Sequence, residues 1–241
     1  MTDSPTAAEP HAVEAPLPVR RVSFYYPADT DPMWAPHLPE FAAAANAISL
    51  GMPYAEPLFI KAVRSTFDQI DDDLRARSET YIRQETGHHT QHKRFNDIIV
   101  ARYPAARRVQ WMMAKNSAWV WRRSPKFRVA YAAAGETISY GVARWTEENL
   151  GRLMDRADPV PATLYLWHLA EEVEHKEVAF DVYEASGGGR IRYLWATWVA
   201  GVVLATFALA CTWVMLWSER RFWRPGAHLK LLVWSVSFIF V

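Results

Sequence analysis

Three of the chain's eight histidines fall within eight residues, "ETGHHTQH", Glu85 to His92. On an α-helix, residues three, four and seven apart share a face. Glu85, His88 and His92 therefore lie within a narrow arc, with His89 at its edge. A carboxylate and an imidazole at this spacing can grip one metal ion from one side of a helix. The same composition also suits a solvated helix face, so the stretch needs context. Context comes from "LWHLAEEVEHKEVAF", Leu166 to Phe180, where Glu172 and His175 repeat the Glu-x-x-His spacing. His168 precedes Glu172 by four residues and His175 by seven, again on one face.

The elements that must position these groups read as helices, since no sustained apolar/polar alternation marks a strand. "PEFAAAANAISL" suggests a short helix ended by Gly51 and Pro53, and a second helix follows from near Tyr54 to Ile70. A long helix from Asp71 to Tyr103 carries acids at its start and bases near its end, and Pro104 stops it. Ala106 to Arg123 is a further helix or connector, and Lys126 to Leu150 is a helix broken by Gly151. Pro159 and Pro161 open the helix with the second cluster, which ends before "SGGGR". Four substantial helices with one extra piece imply an all-α helix bundle, and an irregular α-helical domain is the alternative.

Two Glu-x-x-His helices in a four-helix di-metal site demand one inward Glu from each of the other two. In "GMPYAEPLFIKAVRSTF" the only acid before Asp68 is Glu56, among Tyr54, Leu58, Phe59 and Ile60. In "VAYAAAGETISYGVA" the only acid is Glu136, and Gly135 beside it leaves room for close approach. A lone carboxylate in an apolar helix segment is costly to bury unless it is paired or bound to metal. Carboxylates and imidazoles together suit Fe or Mn, and the lone Cys211 lies far from both clusters.

The order Glu56, Glu85-x-x-His88, Glu136, Glu172-x-x-His175 resembles the ferritin-like di-iron carboxylate superfamily over roughly residues 50 to 185. The His-x-x-x-Glu-x-x-His spacing of the last helix resembles the arylamine N-oxygenases of that superfamily. The stretches "MPYAEPLFIKAVR", "ETGHH" and "EEVEHKEVAFDVY" also look like a bacterial family labelled "predicted metal-dependent hydrolase". The first resemblance implies a ferritin-like four-helix bundle holding two Fe ions, with Mn/Fe, Mn or Zn as alternatives. It implies Glu85 and Glu172 as bridges and Glu56 with His88 on one ion. It implies Glu136 with His175 on the other, with His168 as that ion's extra ligand. His89 and His92 would act as outer hydrogen-bond partners or be merely structural. The implied chemistry is oxidase or oxygenase activity, activating O2 on a small organic substrate with an external electron donor. The same metals could instead activate water for hydrolysis. A non-catalytic metal-binding membrane protein is a third alternative. His-x-His-x-Asp, His-Glu-x-x-His and Gly-x-Ser-x-Gly motifs do not occur. Phe59, Tyr140 and Phe180 are candidate pocket residues.

The rest of the chain sets the surroundings. Net charge is +1, so no broad pull toward nucleic acid is implied. One cysteine excludes an internal disulfide. The Pro-, Ala- and acid-rich start implies a disordered tail over residues 1–35, before a bundle over residues 36–186. Tyr193 to Trp217 carries no charge and has tryptophans near both ends, as a membrane-spanning helix would. The second apolar run, "LKLLVWSVSFIFV", completes a membrane-associated region over residues 190–241, and a hairpin of two such helices would fit a longer chain. Arg190 and Arg192 precede the span, and Arg220, Arg221, Arg224 and Lys230 follow it. The expectation is a bundle on the cytoplasmic side of the plasma membrane, with lipid as a partner and homodimerisation open.

Overall fold

In the computed structural model, which describes residues 18–239, the first helix, α1, runs unbroken from Pro39 to Arg64. Two helices are expected here, because Gly51 and Pro53 both weaken a helix interior. The structure offsets the loss. Pro53 has no N–H to give the Ser49 carbonyl one turn back, and Asn96 of the second helix, α2 (Asp72–Arg102), donates its Nδ2 to that oxygen at 2.8 Å. Asp71 caps α2 by accepting from the Leu74 amide, and acids and bases sit at the ends the helix dipole favours.

Two short helices follow, α3 (Pro104–Val109) and α4 (Trp111–Trp121). Then come α5 (Pro125–Glu148), the single turn α6 (Leu150–Met154), α7 (Pro159–His175) and α8 (Val178–Ala185). Last are α9 (Arg190–Ser218) and α10 (Pro225–Ile239). Ser124 and Asp158 cap α5 and α7, and each cap precedes a proline that suits the first helical turn. The described residues contain no strand.

Two apolar cores, one at each end of the bundle, fix the topology. Phe41, Phe95, Tyr165 and Phe207 belong to the first. Ile60, Tyr81, Ala130 and Val182 belong to the second. Helix α1 runs from the first core to the second, α2 and α5 run back, and α7 with α8 runs forward again. Helices α3 and α4 are the crossover: Ala106 and Met113 lie in the first core and Val120 in the second. Among the buried polar residues between the two cores are Glu56, Glu85, His88, His92, Glu136, His168, Glu172 and His175, drawn from all four helices.

Two further expectations are revised. Residues 1–17 of the expected tail lie outside the described residues. Residues 18–35 run as an extended strap, with Phe24 against Trp167, Tyr26 against Phe95 and Trp34 buried. Apolar side chains in the strap, which the Pro-rich composition of the chain start obscured, give it this place. The helix of the second cluster divides after His175, so that Val178, Ala179 and Val182 of α8 can pack into the second core. Helix α9 is, among the described residues, the one helix long and apolar enough to cross a membrane. It lies along the bundle with Ala196, Ala200, Phe207, Cys211 and Met215 buried. Helix α10 returns beside it, with Trp234 against Phe41 and Trp145.

Candidate metal centre

All seven candidate ligands meet between the two cores, and each is buried. They form two groups close enough to hold an ion each: Glu56, His88 and His168, and Glu85, Glu136, Glu172 and His175. Glu85 and Glu172 touch both. Glu85 Oε1 lies 3.2 Å from His88 Nδ1 and 3.2 Å from His175 Nε2. Glu172 Oε1 lies 2.8 Å from His168 Nε2, 3.6 Å from His175 Nε2 and 3.7 Å from His88 Nδ1.

His168 stands on the Glu56/His88 side, not with His175 as the resemblance implied. The reason is an outer partner: His168 Nδ1 is hydrogen-bonded to His92 of α2, which turns its Nε2 toward Glu56, while His175 lies about 10 Å further along the helix axis. Glu172 sits between them, so the two histidines of α7 serve opposite ends of the site.

The tautomer of each histidine follows from its outer partner. Glu171 Oε2 accepts from His88 Nε2 at 3.0 Å, and its other oxygen accepts from Trp167 Nε1 and Arg20 Nη1. Burial works against an ionised Glu171, yet the hydrogen bonds from His88, Trp167 and Arg20 hold it below the usual carboxylate range. It therefore only accepts, and His88 Nδ1 is left bare toward Glu85 and Glu172. Gln84 Nε2 donates to the Pro18 carbonyl, so its Oε1 accepts from His175 Nδ1 at 3.0 Å and His175 Nε2 is turned toward Glu85 and Glu136.

The third chain is longer. The Asn96 amide donates to the Ser49 carbonyl, so its Oδ1 accepts the Ser49 hydroxyl proton at 2.6 Å. Ser49 Oγ must then accept from His92 Nδ1 at 2.7 Å. Burial and neighbouring His168 lower the pKa of His92 and keep it neutral, so its Nε2 accepts from His168 Nδ1 at 2.6 Å. His168 Nε2 faces Glu172 and Glu56 without its proton. Three histidines thus each turn one nitrogen toward one layer of carboxylates. His89 plays no comparable part: it is half-buried and donates to the Glu85 main-chain carbonyl.

These residues fit a metal pair. Both Glu56 oxygens, one oxygen each of Glu136 and Glu172, and His175 Nε2 are buried without a hydrogen-bond partner. Leaving such groups unpaired is costly, and cations would satisfy them. Burial and mutual repulsion push Glu56, Glu85 and Glu136 above the usual carboxylate range. Burial opposes ionised Glu172 and charged His175, yet their mutual attraction holds the first well below and the second well above its ordinary value. Tyr81 donates to Glu136 Oε1 at 2.8 Å and aims its other oxygen at His175.

A cavity of about 50 Å³ adjoins the carboxylates. Phe59, Tyr131, Asn116 and Leu204 are among its walls. Tyr140 and Phe180 point elsewhere, the first under Lys176 and the second against Tyr193. Gln84, Glu171, Ser49 and Asn96 escaped sequence reasoning. For two of them a signal existed: Gln84 and Glu171 each directly precede the glutamate of a Glu-x-x-His.

Comparison with curated proteins and with solved structures finds no match. A protein-family model described as predicted metal-dependent hydrolase matches residues 18–239, nearly the whole chain, and that description favours hydrolysis over the O2 activation expected from the ligand pattern. The chain belongs to this family of predicted metal-dependent hydrolases.

Proposed function

We propose that the protein is a di-metal hydrolase whose centre is held by Glu56, Glu85, His88, Glu136, His168, Glu172 and His175. The observation that carries this is the convergence of three histidines, each with one nitrogen directed inward, on four buried carboxylates. Glu56, His88 and His168 would hold one ion, Glu136 and His175 the other, and Glu85 and Glu172 would lie between them. A bound divalent pair supplies Lewis acidity and water of lowered pKa.

The chain's own residues prepare the substrate. Asn116 Nδ2 donates to the Tyr131 hydroxyl at 2.8 Å, so the Tyr131 proton is free to point into the cavity. Burial pushes the pKa of Tyr131 up to about 12, which keeps that proton in place at neutral pH. Tyr131 Oη–H would orient an acyl or phosphoryl oxygen of the substrate. Leu58, Phe59, Ile138 and Val203 exclude bulk water around it. For an ester, water adds across the acyl C–O bond to give a carboxylic acid and an alcohol.

A second reading, reduction of O2 at an iron pair, is favoured by the donor set. Four carboxylates and three imidazoles without a thiolate, on four bundle helices of ferritin-like order, suit Fe or Mn. One experiment separates the two. Protein is loaded with Mn(II) or Zn(II) and assayed against p-nitrophenyl esters and phosphoesters. In parallel it is loaded anaerobically with Fe(II), and O2 uptake is followed. Metal-dependent ester or phosphoester cleavage supports the proposal. Rapid O2 uptake with no cleavage replaces it with the second reading.

A further inference from the structure

The cavity beside the carboxylates has a wall made by α9, through Ala200, Val203 and Leu204. A larger groove of about 640 Å³ between α4 and α9 adjoins it, and the two share Asn116 and Val203 as walls. The groove is walled by Met112, Trp119, Val199 and Val202, and Lys115 and Arg122 bring positive charge to it, while no acid lines it. The groove therefore lies beside the site, beneath the middle of the long apolar helix α9.

The outer face of that helix is bare. Ile191, Leu194, Trp195, Trp198, Trp213 and Trp217 are exposed along it. An exposed apolar face of this length marks a contact with lipid or protein. Tryptophans along it, with Arg190 and Arg192 at one end and Arg220 and Arg221 at the other, suit a helix lying in a bilayer interface. The opposite face of α9 packs lengthwise on α1 and α5, so lipid can reach only the outer side.

We propose that α9 seats the protein sideways on a membrane, and that the α4/α9 groove admits an anionic single-chain lipid from it to the carboxylate-histidine centre. This rests on the hydrolase proposal for the chemistry, but the port is tested separately. The apolar chain lies along Val199, Val202 and Met112. The anionic group pairs with Lys115 or Arg122 at the groove, and the reactive segment passes Asn116 to reach Tyr131. A water-soluble substrate would need neither the apolar groove nor the bare face of α9.

The experiment uses the full chain with its metal and vesicles of phosphatidylcholine containing phosphatidylglycerol. A palmitic acid carrying a diazirine is photolysed in those vesicles, and the labelled residues are mapped by mass spectrometry. Labels are expected on Met112–Trp119 and Val199–Thr206. Ala118→Trp and Val202→Trp, both exposed groove positions, should cut that labelling about ten-fold, as loss of roughly two buried methylenes would. Metal content should stay unchanged in both. The port is overturned if the protein does not bind vesicles, or if labels fall only on the outer face of α9 and on α10. It is equally overturned if groove labelling survives both substitutions. Groove labelling without hydrolysis of any ester would uphold the port and overturn the hydrolase proposal instead.

Discussion

Glu171 on α7 accepts a hydrogen bond from His88 on α2 at 3.0 Å, and α2 returns the support, since Gln84 holds His175 of α7 at 3.0 Å. Each supporting residue directly precedes the glutamate of its own Glu-x-x-His and serves the histidine of the other helix. The two helices therefore set each other's ligand geometry, and neither motif is complete alone. Removing such an outer partner typically costs ten- to a hundred-fold in metal affinity. Glu171→Ala should weaken one ion by about that factor, and Glu171→Gln, which can still accept, should recover part of it. Metal titration by calorimetry checks this, and equal affinity in all three proteins would refute the role.

The Asn96–Ser49–His92 chain makes a one-sided prediction. His92→Ala removes the group that keeps His168 Nδ1 protonated and its Nε2 bare. The ion on the Glu56/His88/His168 side should weaken while the ion at Glu136/His175 stays. Mn(II) electron paramagnetic resonance reads this as replacement of a coupled pair by a single-ion signal. A coupled pair at unchanged metal concentration would show that His92 is merely structural.

Glu85 and Glu172 lie against histidines of both groups, whereas Glu136 lies against one histidine, His175. Glu85→Ala or Glu172→Ala should empty both metal positions. Glu136→Ala should leave one ion bound. Elemental analysis of the purified variants decides, and full metal content in the first two would end the bridging assignment.

The raised carboxylates set a pH trend. Glu56, Glu85 and Glu136 hold protons more tightly in the folded, metal-free protein than in the unfolded chain. That stability is fully present below the unfolded carboxylate range of about 4 and is lost as pH rises through the raised values. His175, also raised, loses stability in the same direction as pH rises. Glu172, lowered, matters only below that range. His89, His92 and His168, all lowered, oppose this trend below the usual histidine value of about 6.5, so the melting temperature of metal-free protein should fall from about pH 6.5 to pH 8, and saturating Mn(II) should abolish the fall because cations replace the protons. Calorimetry showing the opposite slope without metal would contradict the buried-carboxylate account.

Asn46 anchors the strap to the first core. It accepts from Trp34 Nε1 and Tyr165 Oη and donates to the Pro32 carbonyl, all in a fully buried position. Asn46→Ala strands these partners and should cost about 3 kcal/mol, read from denaturant unfolding. A loss within experimental error would mean that the strap contributes nothing to the fold.

The sequence by itself determined the helical class, the four carboxylate-bearing helices and all seven inward donors. Spacing of three and four residues is a local property of a helix, and lone acids in apolar segments are conspicuous against their neighbours. Tertiary structure alone decided three things. It assigned His168 to the Glu56 side, because face-sharing says nothing about reach along the axis. It carried α1 through Pro53, because the freed Ser49 carbonyl finds its donor in Asn96, which is 47 residues away. It placed α9 against the bundle with one face bare, because an uncharged run looks the same from the sequence whether lipid or protein surrounds it. These decisions depend on which groups meet across helices, and no local pattern encodes that.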